Sequence, residues 1–106
     1  MDEPRPPETY RRFIEQYPQL GTAWENIHTA GEAGPLDERT ARLIKLAIAM
    51  GALREGAVRA NVRKALAAGI SKAEILQMVA LAAGTVGMPA SVALFDWITA
   101  TLDQQD

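Results

Sequence analysis

From Tyr10 to Leu102, each long segment of this chain repeats its apolar residues at steps of three and four, so they fall on one side of a helix. Glycine and proline separate these segments, at Pro18, Gly31 to Pro35, Gly51, Gly69, and Gly87 with Pro89. The pattern predicts an all-α fold: a compact bundle of five to six helices and no strands. Residues 8–106 read as a single helical domain. The acidic, proline-rich residues 1–7 read as a flexible lead-in.

The segments can be placed in turn. Tyr10, Phe13, Ile14 and Tyr17 share one face of a first helix, which Pro18 is expected to end. A second helix turns Trp24 and Ile27 inward, with His28 at the border of its apolar face, and stops at the Gly31 to Pro35 turn. Asp37 caps a third, whose main face is Leu36, Thr40, Leu43, Leu46, Ala47 and Met50. Ile44 and Ile48 add a second apolar edge, which predicts burial on two sides, and Gly51 is expected to end this helix. A fourth helix starts near Arg54 or Glu55 and closes at Gly69, a suitable left-handed residue. Ser71-Lys72-Ala73-Glu74 is a capping box for the fifth, with Ile75, Met78, Val79, Ala82 and Val86 inward. A sixth presents Leu94, Phe95, Trp97, Ile98 and Leu102. Apolar residues that spread beyond one stripe on a chain of 106 residues are most simply covered by another copy of itself.

Composition removes whole classes of chemistry. With no cysteine there is no disulfide, thiol nucleophile or thiolate metal site. The one histidine, His28, has no paired motif that would make it the base of a catalytic triad, cannot alone build a usual zinc site, and reads as a partly buried structural residue. Neither Gly31 to Gly34 nor Gly84 to Gly87 forms a phosphate loop, so no cofactor and no metal are expected. Net charge is −2 and the basic residues are dispersed, which argues against a nucleic-acid partner. The fourth and fifth helices superficially suggest a helix-turn-helix, but the second of them offers only Lys72, Glu74 and Gln77 among apolar residues. The alanine-rich stretch Met78 to Phe95 is broken by Gly84, Gly87 and Pro89 and does not read as a membrane span. A cytoplasmic protein is the expectation.

One cluster carries potential chemistry. Around Val58, at 100° per residue, Val62, Ala65 and Leu66 share a face with Asn61. Arg54 and Glu55 point the same way from the first turn, while Arg59, Arg63 and Lys64 point elsewhere. Arg39 joins from the third helix. As a site, Arg39, Arg54 and Asn61 are candidate ligand-binding residues, because paired arginines grip a carboxylate; Glu55 is the candidate catalytic acid/base. As plain structure, Asn61 is a core amide bonded to nearby backbone, and Glu55 pairs with Arg39 or Arg54.

Several pieces together resemble the carboxymuconolactone decarboxylase family, which includes the alkylhydroperoxidase D-like proteins. They are Leu36-Asp37-Glu38-Arg39-Thr40, Leu43-Ile44-Lys45-Leu46-Ala47, Glu55-Gly56-Ala57-Val58, Ala67-Ala68-Gly69-Ile70-Ser71 with Glu74-Ile75, and Gly87-Met88-Pro89-Ala90. The resemblance runs over roughly residues 20 to 100. It implies an alkylhydroperoxidase D-like helical fold, assembled as trimers or hexamers with sites near subunit contacts. Peroxidase-type members carry Cys-x-x-Cys followed four residues later by His; those positions are Arg54, Ala57 and Asn61 here. The glutamate twelve residues before their first cysteine corresponds to Arg42, and the decarboxylase-type histidine to Asn61. Another group reads Glu-Gly-Ala-Val-His-Ser-His; this chain matches at Glu55 to Val58 and continues Arg59-Ala60-Asn61.

The expectation is a homo-oligomer without thiol peroxidase chemistry, binding a small anionic organic ligand. The alternative is an active lyase: a decarboxylase or isomerase on a small carboxylated lactone, with Glu55 as acid/base. A third reading is a structural or regulatory partner of an active paralogue.

Overall fold

The computed structural model describes residues 8–105, so the expected lead-in, residues 1–7, lies outside the described residues. The described residues form six helices and no strand: α1 (Glu8–Gln16), α2 (Pro18–Glu32), α3 (Glu38–Gly51), α4 (Glu55–Ala67), α5 (Lys72–Val86) and α6 (Met88–Gln104). They fall into two compact units, residues 8–36 and residues 37–105.

In the larger unit α3 packs on α4, α4 on α6, α6 on α5, and α5 on α3. The four helices thus close a ring around one core. Leu46, Ala49 and Met50 of α3 meet Val58, Val62 and Ala65 of α4, Ile75 and Val79 of α5, and Leu94, Ile98 and Leu102 of α6. These are the inward positions of the 3.6-residue pattern, and burying such side chains is the main driving force for the fold.

Local rules set the helix ends. Asp37 accepts a 2.7 Å hydrogen bond from the Thr40 N–H and so caps α3. Ser71 and Glu74 form both halves of the capping box of α5. The ends of α4 and α3 share one closure. After α4, the Gly69 N–H donates to the Leu66 carbonyl and the Ile70 N–H to the Ala65 carbonyl, both at 3.0 Å. After α3, Leu53 N–H donates to Met50 and Arg54 N–H to Ala49 in the same pattern. The left-handed residue is Gly69, φ +90°, in one turn and Leu53, φ +53°, in the other. Gly51 ends α3 as expected, as its last helical residue, with Ala52 at the C-cap.

Residues 8–36 behave differently. Pro18 opens α2 rather than only ending α1, because its missing N–H costs nothing in a first turn. Phe13 and Tyr17 stack edge to face, with centroids 5.7 Å apart, and Ile14 lies against Gly21. No residue of either helix is fully buried. Trp24 and Ile27, read as inward-facing, are exposed, and so is His28, whose Nε2 lies 2.7 Å from Glu32 Oε1 one turn on. On α3, Ala47, Ile44 and Ile48 are exposed too, so the four-helix unit does not bury this helix on two sides.

Candidate functional site

One pair of half-buried polar side chains beside the four-helix core lies between α3 and α4. Arg42 stands one turn before Leu46, and Asn61 one turn before Ala65, so each side chain starts from the flank of a core stripe. The two helices are joined by a short turn and run antiparallel, which brings Arg42 level with Asn61. Asn61 Nδ2 donates to the Ala57 carbonyl at 2.8 Å. Its Oδ1 accepts from Arg42 Nη1 at 3.3 Å. The amide orientation follows from its partners: a carbonyl only accepts and a guanidinium only donates. Both side chains are half-buried. Arg42 forms no ion pair among the described residues, so a full positive charge sits against a neutral amide with further N–H donors to spare.

The sequence candidates do not converge as expected. Arg39 reaches across to α5 and binds Glu74 Oε2 at 2.5 Å. Together with the Ser71 backbone N–H, the larger influence, Arg39 holds the Glu74 carboxyl at about 2, well below its ordinary value. Glu55 pairs instead with Arg59, Nε to Oε2 at 3.0 Å on successive turns of α4. Arg54 occupies the N-cap position of α4 and is exposed; its side chain caps nothing. Neither Arg39 nor Arg54 therefore pairs with Glu55. The helical pattern gave Arg39 the right direction but no height. It lies in the first turn of α3, and Arg54 follows the last turn, one helix length or roughly 20 Å away.

Two residues matter more than their pattern suggested. In the sequence Arg42 stands out only by its place at the position of a family glutamate. Its contact with Asn61 arises from the packing of α3 on α4. Arg59, read as pointing away, lies along the protein with its side chain 28% exposed, and its Nη1 donates to Thr101 of α6 at 3.1 Å. Thr101 is fully buried and passes its own hydrogen to the Trp97 carbonyl at 2.8 Å. Among the described residues no buried side-chain nitrogen or oxygen lacks a partner.

A surface depression on α1, lined by Thr9, Arg12, Phe13, Glu15, Gln16 and Tyr17, includes none of the site candidates. No group of three or more histidine, cysteine or carboxylate side chains among the described residues could hold a metal ion. Among the same residues, no helix is long and apolar enough to cross a membrane.

The molecule is thus an all-helical protein with a half-buried arginine–amide pair set between two core helices. The chain belongs to the carboxymuconolactone decarboxylase family, whose model matches residues 18–100. No curated protein and no solved structure gives a match.

Proposed function

We propose that this is a homo-oligomeric, cytoplasmic, carboxymuconolactone decarboxylase-like protein that binds a small anionic organic ligand between α3 and α4 and performs no thiol peroxidase chemistry. The observation that carries the reading is the contact of Arg42 with Asn61. These two residues stand where relatives of the peroxidase type place a glutamate and a histidine. An acid/base pair has been replaced by a permanent cation and a neutral amide. A guanidinium receives carboxylates well through paired hydrogen bonds. Among the described residues Arg42 has no carboxylate partner, and its partial burial would strengthen attraction to an incoming one. Thiolate chemistry is excluded by the absence of cysteine. Assembly is supported by large apolar residues that the single chain leaves exposed, among them Ile48, Met88 and Val92.

The test is a calorimetric titration with small mono- and dicarboxylic acids, including carboxylated lactones, each beside its uncharged amide. Wild type is expected to bind one or more acids and to ignore the amides. Arg42→Gln should weaken acid binding by tenfold or more and remain folded. Equal binding of an acid by wild type and Arg42→Gln, or no binding across the series, would reject the site.

A further inference from the structure

Two helices of the four-helix unit carry apolar residues on faces that this unit does not cover. On α3, Ile44 and Ile48 stand one turn apart and are 40% and 66% exposed. On α6, Met88, Val92 and Phe95 follow at steps of four and three, each more than half exposed. Isolated exposed apolar residues are ordinary, but two aligned stripes mark surfaces that associate.

The ring places these stripes. α3 and α6 pack on the same two neighbours, α4 and α5, and so sit across the ring from each other. Their outward faces look to opposite sides of the bundle. The charges beside them differ in sign. Beside the α3 stripe stands half-buried Lys45, which follows Ile44 directly, while Arg39 is paired with Glu74 and Arg42 turns to Asn61. Within α6 the charged residues are Asp96 and Asp103 alone, and exposed Asp96 follows Phe95 directly. Each stripe thus meets repulsion from a copy of its own helix and attraction from the other.

We propose that the α3 stripe of one copy docks on the α6 stripe of the next, with Lys45 of the one helix beside Asp96 of the other. The proposal rests on the homo-oligomer reading above and adds which surfaces meet. A contact between two different faces is heterologous: every copy uses both faces, and the assembly closes when the rotation between neighbours completes a circle.

The contact type can be read by mixing. Ile48→Glu blocks the α3 face and Val92→Glu the α6 face; both positions are exposed, so circular dichroism should remain that of the wild type. By light scattering at micromolar concentration the wild type should be a multiple of the 11.5 kDa chain, and each variant alone a monomer. An equimolar mixture should form a dimer, because one intact α3 face remains for one intact α6 face. Lys45→Glu and Asp96→Lys should each weaken assembly, and the double variant should recover it. If one glutamate variant assembles as well as the wild type, or if the mixture stays monomeric, this docking is wrong although homo-oligomerisation stands. A monomeric wild type would overturn both.

Discussion

Residues 37–105 and residues 8–36 obey the same helical periodicity, yet only the first group encloses a core. Among the described residues all twelve buried hydrophobic side chains lie in α3 to α6 or the turn at Ile70, so the four-helix unit has a core of its own. The α1–α2 pair carries Phe13, Tyr17, Leu20, Trp24 and Ile27, all exposed by at least 46%. Its stripes are as regular as those of α4 or α6. An apolar stripe specifies that a helix will be covered, not by what.

Core truncation should give the largest contrast. Ile98 is fully buried, and Ile98→Ala is expected to cost about 2–5 kcal/mol through lost burial and the cavity left behind. Trp24→Ala, at a site 52% exposed, should cost about 0.5 kcal/mol or less in the monomer. Urea denaturation of both variants at low protein concentration checks the difference, and equal losses would break the comparison.

Asn61→Ala comes next. It removes the amide from both Arg42 and the Ala57 carbonyl, but the pair is only half-buried and water can replace it. A loss of about 1 kcal/mol is expected, against the larger loss a fully enclosed amide would cause. A melting temperature equal to that of the wild type would mean that Asn61 contributes nothing to the α3–α4 contact.

The two matching turns sharpen the comparison within the stable unit. Gly69→Ala forces a Cβ into the left-handed region and should cost about 1 kcal/mol. Leu53→Gly relieves that same strain, offset in part by glycine's greater freedom when unfolded, and should gain about 0.5 kcal/mol. Thermal denaturation should move the two variants in opposite directions.

Glu74→Gln should have the smallest effect: a small loss present above pH 4.5 that fades as the solution is acidified. The folded Glu74 carboxyl titrates at about 2, below its ordinary 4.5, so protonation must break its interactions. Its stabilising contribution is complete above pH 4.5 and disappears as pH falls through 2. Wild type should therefore lose stability more steeply than Glu74→Gln across that window. Parallel curves would show that the capping carboxylate adds no pH dependence.

Much of this was legible from residue order. The Asp37 cap, the Ser71–Glu74 box and the left-handed Gly69 are settled within four residues of chain, where local hydrogen bonds and sterics leave few choices. Reading failed wherever a residue's partner lay on another helix. Helix direction sets Arg39 or Arg54 beside Glu55, but Arg39 meets Glu74; it turns Arg59 outward, but Arg59 meets Thr101; and it does not single out Arg42, which touches Asn61. Long side chains reach far enough for either neighbouring helix, so direction around an axis does not select between partners.

The sequence by itself determined that the chain is helical, roughly where each helix begins and ends, and that thiol chemistry is absent. Those properties depend on residue type and on neighbours a few positions away. Only the tertiary structure decided that α3 and α6 stand across a ring from one another and that Arg42, rather than Arg39 or Arg54, meets Asn61. It also decided that Trp24 and Ile48 are left uncovered. Each of these depends on how whole helices stack. That stacking is set by the summed fit of many side chains, which no short stretch of sequence contains.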